Sequence, residues 1–217
     1  MDTSIMTPSR SILRNALILG VFAMVTVGLI AVTQQGTAER IAESQRRVQM
    51  SALNEILPHD QHDNDLLEDS FEIYDRPHLQ HFRPAVAYRG RQDGQVVAVI
   101  MPVVAPDGYS GRIDLLVGVR ANGELAGVRV IGHRETPGLG DKVELSKSQW
   151  VLSFNGKSLT MPAPEDWGVR KDGGEFDQFV GATITPRAVV QAVYRALLYF
   201  EENRASLLEL TEEPANG

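Results

Sequence analysis

An uncharged apolar run near the N-terminus restricts this chain more than any other feature. Residues 15–38 carry no charge, and the stretch 16–32 within them is apolar apart from Thr26 and two glycines. A helix of this length rises about 1.5 Å per residue and crosses a hydrocarbon layer of roughly 30 Å. We therefore predict a transmembrane helix over 15–35, preceded by a short cytoplasmic segment over 1–14.

A cleaved signal peptide is the alternative explanation for this run. No clean small-x-small cleavage site follows it, because Ala31-Val-Thr33 is a poor match, so a retained anchor is favoured. Arg10 and Arg14 precede the run, whereas three arginines follow it within residues 40–47. The positive charges therefore favour a cytoplasmic N-terminus only slightly.

The composition limits what the rest of the chain does. Of 217 residues, 43% are hydrophobic, which suffices for one packed domain beside the anchor. The 21 basic and 28 acidic side chains give a net charge of −7, which argues against a nucleic acid partner. There is no cysteine, so disulfides, thiolate metal sites and cysteine-bound iron–sulfur clusters are excluded. If the protein moves electrons, the carrier has to be an organic cofactor or a histidine-bound metal.

Residues 36–68 are interpreted as a connecting helix followed by an acidic loop. Residues 40–57 have a charged face and an interrupted apolar stripe, and Pro58 ends the helix. The loop contains His59, Asp60, His62, Asp63 and Asp65. Loop carboxylates without a scaffold rarely form a specific metal site, so we favour a solvated loop and predict no metal. The same interpretation applies to His78 and His81.

From residue 85 the pattern changes to strands, within a domain predicted over 69–203. The predicted strands are 85–89, 96–104, 113–119 and 125–131. Asp93-Gly94 and Asn122-Gly123 between them are typical hairpin turns, which predicts a twisted antiparallel sheet. A helix after Thr185 covers one face of this sheet, giving an α+β domain.

Two minor predictions complete the domain. A shorter helix begins near Asp141 or Glu144, and Trp150 and Trp167 are expected in the core or at an interface. The remaining residues, 204–217, form a C-terminal tail whose last seven are polar and are expected to fray.

Gly181-Ala182-Thr183 places a hydroxyl in a small-residue turn just ahead of this last helix. Thr185 is predicted as the N-cap and Pro186 as the first helical residue. Apolar side chains then recur at helical spacing, at Val189, Val190, Val193, Ala196, Leu197 and Phe200. A helix N-terminus stabilises a phosphate, but an ordinary capped helix has the same features. The pattern alone leaves both interpretations open.

The glycine- and proline-rich stretch 132–140 follows a predicted strand and forms a second unusual loop. Its backbone can approach a flat ring closely and hydrogen-bond the ring's edge. His133 and Glu135 fit either a general acid/base pair or a positional role, and we favour the positional role. Tyr109 either flanks a ligand or packs half-buried. Lys142 either neutralises a phosphate or an anionic ligand, or is simply exposed.

Three stretches resemble one known family. Asp177-x-x-Val180-Gly-Ala-Thr183 resembles the flavinylation motif of the FMN-binding domain family. The wider stretch 171–190, the stretch 132–142 and the single anchor resemble the G subunit of the Rnf/Rsx electron transport complex. The family usually has Ser or Thr where this chain has Val180, so that hydroxyl's hydrogen bond is lost while Thr183 is intact.

The resemblance implies specific roles for individual residues. Thr183 carries FMN through a phosphoester, and Asp177 is recognised by a flavin transferase that installs FMN from FAD. The isoalloxazine ring lies against the loop around residues 133–142. The residues implied in binding FMN are Gly181, Ala182, Thr183, Thr185, His133, Glu135, Thr136, Gly138, Leu139, Gly140, Lys142 and Tyr109. None of them is assigned a catalytic role.

The resemblance also implies a function and a location. Such a protein relays electrons inside a membrane-bound ion-translocating complex, with reduced ferredoxin and NAD as the redox partners in typical members. It is not catalytic alone. The anchor lies in the bacterial inner membrane and the domain in the periplasm, where covalent attachment prevents loss of the flavin.

Three alternatives are weighed against this expectation. The C subunit of the sodium-translocating NADH:quinone reductase shares the acceptor motif. A membrane-anchored module for assembly or binding, without redox chemistry, is a second. A free-standing flavin reductase is disfavoured because no nicotinamide-binding glycine motif follows a strand.

Overall fold

A computed structural model describes residues 8–209, and its first element is one long helix. Helix α1 runs from Pro8 to Ile56, and the chain divides into two compact units between Gln49 and Met50. In the first unit, Ile12–Val32 has a mean hydropathy of 2.3 and buries none of its side chains in the protein. By length and composition it is the one candidate membrane span found within 8–209.

The second unit contains a five-stranded antiparallel sheet in the order β1-β2-β3-β4-β5. Its strands are β1 Ser70–Ile73, β2 Ala85–Gln92, β3 Gln95–Gly108, β4 Gly111–Arg120 and β5 Leu125–Gly132. Both predicted hairpin turns are confirmed, because Gly94 and Gly123 adopt the positive φ angles, +79° and +90°, that such turns require. The predicted antiparallel sheet is therefore correct, although the strands are longer.

Helices and short turns complete this α+β fold. They are α2 Arg76–Leu79, α3 Ile184–Glu202 and α4 Arg204–Leu207. The short helix predicted near residues 141–144 is instead a pair of 3₁₀ turns, Gly140–Val143 and Gln149–Phe154. The polar end of the tail, predicted to fray, lies outside the described residues.

The main core fills the space between one face of the sheet and α3. Val99, Met101 and Val103 alternate inward on β3 and are at most 1% exposed. Val189 and Val193 of α3 are fully buried in the same cluster. Trp150 and Trp167 lie in this core as predicted, in an aromatic group with Phe154 and Phe176.

The other face of the sheet is covered by the last turns of α1. Leu53, Ile56 and Leu57 are 1% exposed and pack with Leu66 against Ala98, Ile100, Leu116 and Ala126. Gly118 makes this approach possible, since a Cβ there would overlap Cγ2 of Ile56. Pro58 ends the helix as predicted. Residues that the sequence placed in a connection are thus part of the folded domain.

One histidine of the histidine- and aspartate-rich loop is buried rather than solvated. His62 is 7% exposed, and its Nδ1 lies 2.9 Å from the carbonyl oxygen of Asn64, so the prediction of a solvated loop is wrong for this residue. Asp63 accepts a 2.7 Å hydrogen bond from the backbone N–H of Asp93. Within the described residues, no group of three His, Asp or Glu side chains could hold a metal ion.

Candidate functional site

A cleft of about 330 Å³ opens where three segments of the second unit meet. The first segment is the hairpin between β3 and β4, the second is the loop after β5, and the third is the chain entering α3. The lining residues are Tyr109, Glu135, Thr136, Leu139, Gly140, Gly181, Ala182, Thr183, Ile184 and Thr185. All of them except Ile184 are among the site residues predicted from the sequence.

A tight turn over residues 179–182 delivers Thr183 to the cleft. The N–H of Ala182 donates to the carbonyl of Phe179 at 3.1 Å, and Gly181 has φ +82°, which favours glycine at the third position of such a turn. Trp150 anchors the turn by donating from Nε1 to the carbonyl of Asp177 at 2.8 Å. Thr183 is partly exposed at the exit of a firmly held turn.

The predicted start of the last helix is wrong by two residues. Helix α3 begins at Ile184, with Thr183 as N-cap and without a capping hydrogen bond from its side chain. Thr185 lies inside the first turn, fully buried, and its hydroxyl donates to Oε2 of Glu135. Because Thr185 is already the second residue of the helix, it is not the N-cap.

Glu135 joins the three segments that form the cleft. Glu135 is 4% exposed, and its Oε1 accepts a hydrogen bond from the backbone N–H of Ser110 at 2.9 Å. Its Oε2 accepts the hydroxyl of Thr185. Gly140 passes so close that a Cβ there would lie 2.8 Å from Oε2 of Glu135. With these donors, the carboxylate fits the predicted positional role better than general acid/base chemistry.

The loop after β5 is held by hydrogen bonds within itself. Gly138, with φ +79°, donates its N–H to Oδ1 of Asp141 at 2.8 Å. The N–H groups of Leu139 and Gly140 both donate to the carbonyl of Thr136 at 3.1 Å. Leu139 remains 42% exposed and lines the cleft. An apolar side chain on a rigid loop is suited to contact a flat ring.

Some of the predicted site residues do not line the cleft. His133, Gly138 and Lys142 are not among the lining residues. Asp177 is outside the cleft, 64% exposed, and forms a 2.9 Å ion pair with Arg170, which is 65% exposed. Tyr109 lines the cleft and is 68% exposed rather than half-buried.

Ile184 is the lining residue that the sequence interpretation missed. It is 45% exposed on the first turn of α3. The sequence signal for it was a large apolar residue directly after Gly-Ala-Thr. The sequence interpretation assigned this residue neither to the turn nor to the buried stripe of the helix. Its exposure at the cleft shows that it serves the cleft wall rather than the core.

The chemistry of the cleft fits a phosphorylated flat ring. Tyr109, Leu139, Ala182 and Ile184 offer apolar contact area, which is what an isoalloxazine ring needs. The N-terminus of the 19-residue helix α3 presents unpaired N–H groups and a partial positive charge beside Thr183. One end of the cleft thus favours a phosphate, and its walls favour the ring system of FMN.

Comparison with known proteins agrees with this chemistry. Residues 108–198 match the family model described as FMN-binding domain, and residues 5–56 match the model described as RnfG N-terminal region. The fold, the cleft and these matches therefore define a protein with an N-terminal apolar helix followed in the chain by an FMN-binding domain.

Relatives over nearly the whole chain define the family more closely. The G subunit of the ion-translocating oxidoreductase complex from Pseudomonas aeruginosa strain UCBPP-PA14 is 57% identical over 92% of this chain and 93% of its own. Proteins of the same name from Shewanella loihica and Vibrio cholerae are 49% and 48% identical, over 95% and 91% of this chain and 96% and 94% of their own. The chain belongs to this family, the G subunits of ion-translocating oxidoreductase complexes.

Proposed function

We propose that this chain is the FMN-carrying subunit of a membrane-bound ion-translocating oxidoreductase complex, and that it relays electrons through FMN esterified to Thr183. The observation that carries the proposal is the partly exposed Thr183 at the N-terminus of α3, in a cleft that belongs to an FMN-binding domain. The names of the relatives support a role inside a complex with other subunits. The same names favour this assignment over the C subunit of the sodium-translocating reductase.

Thr183 is the better acceptor of the two threonines in this segment. Its hydroxyl makes no capping bond and its residue is partly exposed. Thr185 is fully buried, and its hydroxyl already donates to Glu135. An enzyme that modifies a hydroxyl has to reach it, so Thr185 would be modified only after local unfolding.

In the proposed attachment, a flavin transferase uses FAD as the donor. Oγ1 of Thr183 forms a bond to the FMN phosphorus, the pyrophosphate bond of FAD breaks, AMP leaves, and the threonine proton passes to a base of the transferase. The phosphoester that results keeps one negative charge. A charge of this sign at the N-terminus of α3 is stabilised by roughly 0.3–1 kcal/mol.

The residues of the cleft would then position the cofactor. When bound, FMN supplies the transfer of electrons one or two at a time. Leu139 and Ile184 would exclude water from the ring, and Tyr109, on the β3–β4 hairpin, would cover its open side. Glu135 would hold the three segments in register, because its two oxygens accept hydrogen bonds from Ser110 of the hairpin and Thr185 of α3.

The anchor limits what this protein contributes to ion transport. The span Ile12–Val32 contains one arginine, Arg14, at its start, and 15–32 are uncharged. Ion pathways through membranes are usually lined by polar or ionisable groups, so other subunits would have to form the pathway. We place the FMN-binding domain on the periplasmic side of a bacterial inner membrane, where a covalent bond would prevent loss of the flavin.

The test is the intact mass of the full-length protein purified after co-expression with a flavin transferase. We expect an increase by the mass of FMN less one water, together with a fluorescent band on a denaturing gel. Thr183→Ala should lose both signals, whereas Thr185→Ser should keep them. Unmodified wild-type protein under these conditions would instead support a module without redox chemistry, and flavin retained by Thr183→Ala would refute the acceptor assignment.

A further inference from the structure

His133 lies behind the wall of the cleft, and each of its two ring nitrogens has a partner. Its side chain is 9% exposed, and Nε2 lies 2.5 Å from Oε1 of Glu144. Its Nδ1 lies 3.0 Å from the backbone nitrogen of Glu135. A backbone N–H only donates, so Nδ1 has to be the unprotonated acceptor. The ring proton is therefore on Nε2, which donates to Glu144.

Glu144 stabilises the His133 tautomer that has its proton on Nε2. Its Oε2 accepts the hydroxyl of Ser146 at 2.9 Å. The hydrogen bond from Ser146, and then the one from His133, lower the pKa of the Glu144 carboxyl below its ordinary value. The positive charge of Lys147 acts in the same direction. Glu144 thus stays an anion and keeps accepting the Nε2 proton of His133.

The other ring nitrogen of His133, Nδ1, contacts Glu135. The Glu135 N–H is bound by His133, and the Glu135 carboxylate joins Ser110 of the β3–β4 hairpin to Thr185 of α3. A shift of the Glu135 backbone would therefore move a carboxylate that two other cleft walls depend on. The position of the Glu135 backbone therefore affects the geometry of the whole cleft.

We propose that His133 is a positioning residue of the FMN cleft: its Nδ1 fixes the backbone of Glu135 and thereby the carboxylate that joins the three walls. The family resemblance implied that His133 binds FMN directly, whereas the role that we propose is indirect, through Glu135. The inference rests on the proposed function only in that the cleft it organises is the one that binds FMN. His133 is not among the residues that line the cleft, so it acts through Glu135.

Two substitutions separate the two nitrogens of His133. In His133→Asn the amide oxygen occupies roughly the place of Nδ1, so it accepts the Glu135 N–H but leaves Glu144 without its donor. In His133→Gln the amide nitrogen reaches roughly the place of Nε2, so it donates to Glu144 but leaves the Glu135 N–H without its acceptor. A residue needed only to fill space would respond similarly to both changes.

The experiment compares both variants with wild type as full-length protein in detergent. In flavin-free protein, hydrogen exchange at the Glu135 amide should be about tenfold or more faster in His133→Gln and close to wild type in His133→Asn, because roughly 1.4 kcal/mol of protection corresponds to tenfold. After flavinylation, the midpoint potential and visible spectrum of the flavin should shift in His133→Gln only.

Equal exchange in the two variants, or faster exchange in His133→Asn, would overturn the proposal. Failure of both variants to fold would overturn it as well, since His133 would then be a folding residue. The exchange measurement needs no flavin, so it decides the role of His133 even if the wild-type protein carries none. The absence of covalent FMN in wild type would refute the proposed function separately.

Discussion

The hydroxyl of Thr185 donates a hydrogen bond to the carboxylate of Glu135, fifty positions earlier in the chain. This bond joins the first turn of α3 to the loop after β5, and both residues line the cleft. It also removes Thr185 from the set of available hydroxyls, which leaves Thr183 as the exposed threonine of the Gly-Ala-Thr turn. The same contact therefore contributes to cleft geometry and to the choice of acceptor.

Replacing Thr185 with valine should destabilise the domain while Thr183 remains modifiable. Valine matches the shape of threonine but removes the donor, so the buried Glu135 carboxylate loses one of its hydrogen-bond donors and keeps the N–H of Ser110, at a cost of about 1–3 kcal/mol. Urea unfolding measures the loss, and Thr185→Ser is the control that keeps a hydroxyl. An unfolding free energy equal to that of wild type would mean that the bond contributes nothing.

Asp177→Ala should block flavin attachment without unfolding the domain. The Asp177 side chain is 64% exposed, and its ion pair with Arg170 is solvated, so its loss should change stability by less than about 1 kcal/mol. A circular dichroism melt and a fluorescence gel on the same sample check both halves of this prediction. Arg170→Ala breaks the same ion pair but keeps the carboxylate, and should still be flavinylated. Unfolding of Asp177→Ala would assign this residue a structural role instead.

Val180→Ser should leave flavin attachment unchanged or make it faster. Val180 is 91% exposed in the second position of the turn 179–182, so its side chain contributes almost no packing. A serine there restores the hydroxyl that the family usually has, worth about 0.5–1.5 kcal/mol if it forms a hydrogen bond. Time-resolved flavin incorporation with one transferase measures the effect. Abolished incorporation would show that the transferase requires the valine.

Ile56→Ala in the full-length protein should destabilise the second unit by about 2–5 kcal/mol. Ile56 is 1% exposed and packs over Gly118 on the outer face of the sheet. Val180→Ala is the matched control, because it shortens an apolar side chain that is almost fully exposed. Thermal unfolding followed at the tryptophans, Trp150 and Trp167, reports on this unit. Equal midpoints for the two variants would mean that the end of α1 is not part of the cooperative core.

Local features of this fold were predictable and long-range contacts were not. Asp93-Gly94 and Asn122-Gly123 gave correct turns because the backbone angles they favour depend on two adjacent residues. The four-residue strand β1 was missed, since Ser-Phe-Glu-Ile is too short to show an alternating pattern against its neighbours. The apolar stripe of residues 40–57, which contains Ile56, was recognised, but its pattern does not indicate which surface it packs against.

In the candidate site, too, local features were predictable and long-range contacts were not. The glycines and threonines that line the cleft were found because they stand in two short motifs. The bond between Thr185 and Glu135 depends on two segments meeting only after the sheet and α3 have packed. The tautomer of His133 likewise follows from contacts with Glu135 and Glu144, which spacing along the chain does not specify.

Because Leu53 and Ile56 belong both to α1 and to the core of the domain, the folded domain begins inside the helix that also contains the candidate membrane span. A fragment cut at residue 58 or 69 would expose the apolar side chains of Ile100 and Leu116 to water and would tend to aggregate. A water-soluble version of the protein, or a chimera with another membrane anchor, has to keep the native chain from Met50 onward.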